Sequence, residues 1–362
     1  MKYKIDKSSG EKAYMQLYYQ LKGDITDGLY PCGTKLPSKR LISEESGVSV
    51  ITAEHAYALL CDEGYAESRE RSGYFVIYKE SDFLSSAPTT VALPAGSSHQ
   101  HLSNSSISFP ILAKTMRKVL HDRADAILVK SPNHGCFELR AAIMSYLART
   151  QGIYVSPEQI IIGSGAEYLY SLIAQMFFGR RFALENPSYD KISRVYRACG
   201  IECDMLRLAA DGIRSCDLDK TQATVLHITP FNSFPSGTTA SASKRAEYIR
   251  WAQSRQGYIV EDNYESELTV STKNESTVFS LSKDGRVIYL NTFSKTVAPS
   301  VRVGYMVLPK ELTPLFEQKL GFYSCTVPVF EQYVLAELIN SGDFERHINR
   351  VRRSKRKKAK EK

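Results

Sequence analysis

Lys295 lies in the stretch Tyr289–Leu308, YLNTFSKTVAPSVRVGYMVL, with Arg302 seven residues further on. The stretch reads as a strand, a Ser/Thr-flanked loop carrying the lysine, and a second strand, Arg302–Leu308, rich in β-branched and aromatic residues. A lysine at a strand-to-loop corner contributes little to packing. It suits amine chemistry, in which the nitrogen bonds an aldehyde while a nearby cation holds an anion. Other candidates precede it. Asp262 ends YIVED, and Tyr264 is two residues on. Tyr189 lies in ENPSY and Asn232 in TPFNSFPSG. Gly163-Ser164-Gly165-Ala166 stands between an apolar run and a helical one. Backbone N–H groups at such a turn, with a helix dipole behind them, hold phosphate. Taken singly, each has an ordinary role: Tyr189 and Tyr264 as core aromatics, Asp262 as a helix cap, Arg302 as half of an ion pair.

The elements around these residues give them a common setting. Ser108 to Gly152 reads as helices, Leu112–Arg123 and then Cys136–Thr150. From Glu158 onward short apolar strands alternate with helices: Gln159–Ile162, helix Ala166–Phe177, Arg181–Leu184, Thr224–Ile228, Tyr258–Val260 and Val287–Leu290. Such alternation predicts a mostly parallel sheet flanked by helices. Ligands in these sheets sit beyond the carboxyl ends of the strands, and the candidates fall at those ends. A buried carboxylate there keeps a pyridine nitrogen protonated, a lysine carries an aldehyde, and an arginine with glycine amides binds a phosphate.

The first eighty residues are organised differently. Leu17, Leu21 and Ile25 mark one face of a helix over Tyr14–Asp27. Gly28, Pro31 and Gly33 break it. Pro37-Ser38 opens a second helix with Leu41 and Ile42 inward, ending at Ser46-Gly47. Ser49 is an N-cap candidate for a third, whose face is Ala53, Ala56, Tyr57 and Leu60. Gly64 ends that helix. Tyr65–Glu67 and Tyr74–Tyr78 then form a hairpin with a basic tip over 68–73. Three helices and a β-wing describe a winged helix-turn-helix, whose third helix enters the DNA major groove by its N-terminal residues.

The run GLYPCGTKLPSKRLISEESGVSVITAEHAYALLCDEGYAESRERSGYFV resembles the DNA-binding domain of GntR-type regulators. The resemblance implies that Ser38, Arg40, Ser49 and Thr52 contact double-stranded operator DNA, with Arg71 and Gly73 at the wing. Arginines such as Arg40 and Arg71 suit phosphate, which positions a protein without reading sequence. The chain departs at Val50, where the family usually has arginine. Valine touches a thymine methyl but cannot donate to guanine.

The second half resembles fold-type I aminotransferases that bind pyridoxal phosphate. The resemblance gives Lys295 the covalent link to the cofactor, Asp262 the pyridinium and Tyr264 the ring hydroxyl. It gives Ser164, Gly165, Ala166 and Arg302 the phosphate, and Tyr189 a stacking role. Asn232 follows less closely, because its loop differs from the NPxNPTG form. EDNYESE and TFSKTVAPSVRVGYMVLP resemble the MocR branch of GntR regulators, which joins both modules in this order. The expected architecture is α/β: a winged helix-turn-helix over 1–79, a flexible linker over 80–106, an aminotransferase-like domain over 107–345 and a basic tail over 346–362. The expected function is a transcriptional regulator whose second domain binds pyridoxal phosphate and senses it or an amino compound, as a homodimer without catalytic residues of its own. The alternative is an aminotransferase with a DNA-binding appendage. A third reading is a truncated product without function.

Composition bounds these readings. The net charge is +8, yet Arg346–Lys362 alone carries ten Lys or Arg against one Glu, so the body of the chain is nearly neutral. That tail reads as a solvated helix end. Seven scattered cysteines form no CxxC pair, which argues against a disulfide framework or a metal site. The linker's His99 and His101 read as polar tether. No apolar run approaches the ~18 residues of a membrane span, and no signal core opens the chain, so a cytoplasmic protein is expected. Resemblance also predicts a small C-terminal domain that this sequence largely lacks, leaving a half-open pocket. Lys130 stands where aminotransferases often place a tyrosine that reaches the neighbouring subunit's phosphate.

Overall fold

The computed structural model describes residues 3–6, 9–70, 72–79, 106–268 and 275–360. Arg71, His99, His101 and nearly all of the expected linker lie outside them. The chain divides into two compact units, 1–99 and 100–362.

The first unit holds α1 (Ala13–Thr26), α2 (Lys39–Ser46), α3 (Val50–Asp62), β1 (Ala66–Arg69) and β2 (Gly73–Val76). Leu17, Leu21, Ile42, Tyr57 and Leu60 make its core. Both short helices begin at serine caps. Ser38 accepts from the Leu41 N–H at 3.2 Å and Ser49 from the Thr52 N–H at 3.1 Å, which satisfies one orphan donor in each first turn. Gly47 ends α2 at φ 67°, a left-handed position that a Cβ disfavours. The wing is antiparallel, with Ala66 opposite Val76 and Arg69 opposite Gly73. Its strands therefore run further into the 68–73 segment than expected. Leu41, expected inward, is 45% exposed. An eight-residue helix buries a single face, and Ile42 occupies it.

The second unit begins with α4 (Phe109–Arg123) and α5 (Phe137–Gln151). The sheet region follows as β3 (Ile160–Gly163), α6 (Ala166–Met176), β4 (Phe182–Asn186), α7 (Asp190–Ala198), β5 (Cys203–Ala209), β6 (Gly212–Ile213), α8 (Ser215–Lys220), β7 (Val225–Ile228), α9 (Ala242–Ser254), β8 (Tyr258–Asp262), α10 (Val278–Leu281), β9 (Val287–Thr292) and β10 (Gly304–Val307). It ends with α11 (Thr313–Leu320), α12 (Val329–Asn340) and α13 (Asp343–Lys360). The eight strands are ordered β3-β10-β9-β8-β7-β4-β5-β6. Strands β9 to β5 run parallel, β10 is antiparallel to both neighbours, and β6 turns back on β5.

Alternate strand residues feed cores on opposite faces of the sheet. Val225, Val260 and Ile288 pack with α6, α7 and α11. Leu226, Ile259 and Val287 pack with α9. Ile160, Ile162, Tyr305 and Val307 pack with α5, α12 and α13. The last helix runs across the position where the sequence reading separates 345 from 346. Phe344, Ile348 and Val351 are buried in that core, so its first turns belong to the domain. Arg352 Nε donates to the Glu267 carbonyl, and Lys355 pairs with Glu265 at 2.8 Å. The part of the helix expected to be solvated tail is thus fastened along one side.

Candidate functional site

The ends of β7, β8 and β9 and the start of α6 converge on a cavity of about 340 Å³. Its floor is Asp262, the last residue of β8, only 2% exposed. Tyr170, one turn into α6, donates its hydroxyl to Asp262 Oδ2, and the Tyr264 N–H donates to Oδ1 at 3.1 Å. His227 Nε2 lies 3.8 Å from Oδ2 and has no hydrogen-bond partner. The His227 Nδ1 is bonded to the Tyr196 hydroxyl at 2.8 Å. Burial pushes the Tyr170 and Tyr196 hydroxyls well above the usual phenol range, so they stay protonated.

Among the described residues no Lys or Arg pairs with Asp262. A buried carboxylate is costly unless hydrogen-bonded and paired, and a protonated ring nitrogen in the cavity would give Asp262 a directly bonded cationic partner. The residues present fit a pyridinium at this floor.

Lys295 and Arg302 lie on the loop between β9 and β10 and line the same cavity. The loop is held from within. Thr292 Oγ1 donates to the Val303 carbonyl at 3.1 Å and Ser294 Oγ to the Val301 carbonyl at 2.8 Å, while Phe293 and Val297 are buried. The lysine is thereby presented on a fixed backbone.

Arg302 reaches the N-terminus of α6. Gly165 has φ 94°, and a Cβ on it would stand 3.1 Å from Arg302 Nη2. The positive φ favours glycine here. Ala166 lines the cavity. The Gly165 N–H is turned to the Gly163 carbonyl at 2.8 Å and the Ser164 N–H to Thr326 Oγ1 at 3.2 Å. Arg302 itself donates to Glu167 at 3.0 Å.

Tyr189 caps α7 at the rim, its ring edge-on to Phe234 at 6.4 Å. Tyr264, expected on a ring hydroxyl, lines the cavity and donates its own hydroxyl to the Asn232 carbonyl at 3.1 Å. Burial raises its pKa to about 12. Asn232, at φ 54°, turns its side-chain amide to Glu265 at 3.2 Å. Seven of the nine expected cofactor residues thus line one cavity, while Ser164 and Gly165, which precede Ala166, are not among its lining residues.

Sequence reasoning missed Tyr170, Tyr196, His227, Glu167 and Glu185. Glu185 is buried at the end of β4, accepting from the Thr229 N–H at 3.1 Å and from Ser233 Oγ at 2.6 Å. Burial lifts its carboxyl to about 7. A titratable residue inside an apolar strand run, as in FALEN and VLHI, was the available signal. Among the described residues no group of His, Cys, Asp or Glu could hold a metal.

In the first unit Ser38, Arg40, Ser49 and Val50 are exposed around the starts of α2 and α3, with Thr52 half-buried. Gly73, at φ 108°, opens the second wing strand. Ile51 is 67% exposed. Polar caps and apolar side chains therefore share the end of α3 that a groove would meet.

Together the two units define a winged helix-turn-helix and a fold-type I aminotransferase-like domain. Residues 13–76 match the family of bacterial regulatory proteins called gntR, and residues 100–361 match aminotransferase class I and II. The uncharacterized HTH-type transcriptional regulator YdeL of Bacillus subtilis is 33% identical over 95% of this chain and 77% of its own length. The HTH-type pyridoxine biosynthesis transcriptional regulator PdxR of Corynebacterium glutamicum is 28% identical over 93% of this chain and 75% of its own. The kynurenine aminotransferase of Pyrococcus horikoshii, solved in complex with PMP, superposes with a TM-score of 0.63 at 26% identity. That match covers 68% of this chain, which spans 64% of the aminotransferase's length. The chain belongs to the MocR-type regulators, which join a GntR helix-turn-helix to a class I and II aminotransferase domain. Its second domain has the fold of pyridoxal-phosphate-dependent enzymes, and its first is a DNA-binding module.

Proposed function

We propose that this regulator binds operator DNA through its first unit and adjusts that binding to pyridoxal phosphate, or an amino compound meeting it, in its second. One observation carries the reading: buried Asp262, which no Lys or Arg among the described residues pairs with, shares a cavity with Lys295 and Arg302, in a chain that also bears a GntR module. Bound there, pyridoxal phosphate supplies an aldehyde for an amine and a ring nitrogen whose protonated form a carboxylate holds. Asp262 would take the ring N–H, oriented by Tyr170 and the Tyr264 amide. Lys295 would offer its amine. Arg302 and the first turn of α6, with Ser164, Gly165 and Ala166, would hold the phosphate. Tyr189 would cover one ring face, while Tyr264 and Asn232 form the rim.

Regulation requires that the ligand favour one DNA-binding state over another, and a tenfold change in DNA affinity corresponds to about 1.4 kcal/mol of coupling. We assign residues 1–79 to DNA reading, 80–106 to a tether and 107 onward to sensing, with the protein acting in the cytoplasm beside its DNA. In the first unit Arg40 and Arg71 would hold phosphates, and Ser38, Ser49, Thr52 and Gly73 would approach the duplex. A homodimer would offer two recognition helices to paired half-sites. The segment from 109 to 137 supports it, because Phe109, Leu120, Leu128, Val129 and Phe137 are all exposed there. Relatives named as transcriptional regulators favour sensing over turnover.

The test combines a visible spectrum with DNA retention, both with and without added pyridoxal phosphate. We expect a bound-cofactor band that Lys295→Ala abolishes, together with a shift in DNA affinity that the same substitution removes. An unchanged spectrum in the variant would assign the aldehyde elsewhere. The retained Lys295 and Asp262 also admit an aminotransferase with a DNA-binding appendage; conversion of an amino acid and a keto acid by the purified protein would establish that alternative.

A further inference from the structure

The phosphate cradle contains an anion of its own. Glu167 stands in the first turn of α6 and lines the cavity. Its Oε2 accepts from Arg302 Nη2 at 3.0 Å and its Oε1 from Lys191 Nζ at 2.6 Å. The guanidinium lies against Gly165, where a Cβ would come within 3.1 Å of it. Two cations thus meet at a helix N-terminus, a place that stabilises negative charge. The charge they hold is a side chain of this protein. Arg302 is 53% exposed, Glu167 33% and Lys191 55%. Ion pairs this wet contribute little to folding, so a stronger anion can displace Glu167 from Arg302 at small cost to the fold.

We propose that Glu167 is a built-in competitor for the phosphate of the bound ligand. Without phosphate its carboxylate bridges Arg302 and Lys191. When phosphate arrives, Glu167 releases Arg302 and stays with Lys191, whose ammonium keeps the carboxylate paired. Phosphate carries more charge and more acceptor oxygens than a carboxylate and wins the guanidinium. Its net affinity is reduced by the pair it must break. The site therefore loads and empties over a range of ligand concentrations, as sensing requires. This inference rests on the reading of the cavity as a phosphate-bearing cofactor site.

The experiment uses the full chain and two probes, inorganic phosphate and pyridoxal phosphate, titrated at constant ionic strength. Glu167→Gln keeps the shape of the side chain and removes its charge. We expect it to tighten both probes several-fold. Lys191→Met removes the second partner, concentrating Glu167 on Arg302. It should weaken both probes several-fold in the parent protein and do so less in the Glu167→Gln background, since contacting pairs are non-additive. Unchanged or weaker phosphate binding by Glu167→Gln would overturn the proposal, as would equal effects of Lys191→Met in both backgrounds. The inorganic phosphate arm forms no bond with Lys295. It judges the role of Glu167 even where the visible band fails to appear, and a missing band counts against the cofactor reading alone.

Discussion

At the scale of single residues, this domain depends on carboxylates buried in apolar strands. Glu185 fastens the 229–233 segment that carries Asn232 to the cavity rim. Burial lifts its carboxyl to about 7, whereas an unfolded glutamate ionises near ~4.3. Between those values the folded chain holds a proton that the unfolded chain has lost. Stability from this group is fully present below about pH 4, falls as pH climbs through 7 and is level above. The span corresponds to about 4 kcal/mol at most. Glu185→Gln is neutral throughout, so it should raise stability at pH 8 relative to the parent and flatten the loss between pH 5 and 8. Urea unfolding at both pH values measures it. Glu261, also lifted to about 7 by burial, leaves a residual slope of the same sign. An equally steep slope in the variant would remove Glu185 from this account.

At the scale of elements, local chemistry was the most legible. Serine caps, glycine stops and apolar faces located α1 to α3 within a residue or two. Continuous apolar runs located β3, β4, β7, β8 and β9. Strand β5 escaped because Asp204 and Arg207 interrupt its apolar residues, and its pairing with β4 makes it a strand. Helix α7 was missed although Ile192, Val195 and Tyr196 stand at helical spacing, with Ile192 and Tyr196 buried against the sheet. The exposed start of α3 carries its own prediction. Val50 and Ile51 present exposed methyl groups there. Val50→Arg should tighten DNA binding and steepen the plot of log affinity against log salt by about 0.9, the increment for one added phosphate contact. Fluorescence anisotropy across a salt series reads it; an unaltered slope would mean that the position does not face the backbone.

At the scale of the whole molecule, the exposed apolar segment from 109 to 137 bears on assembly. Leu128 is 82% exposed and Val129 lies beside it. Replacing both by Glu should shift the protein toward monomer in sedimentation velocity and weaken binding to paired half-sites more than to a single half-site. A stable dimer in that variant would place the interface elsewhere. The sequence by itself determined the module order, the alternation of strands and helices, and the candidacy of Lys295, Asp262 and Arg302 at strand ends, because motif, period and cap are local properties of a chain. Only the tertiary structure decided that Tyr170 and His227 flank Asp262, that Glu167 pairs with Arg302, and that α13 is pinned to Glu265 and Glu267. Those meetings depend on strand order and on which helix crosses which strand. Residues far apart in the chain become neighbours through the packing of the sheet, which no local pattern encodes.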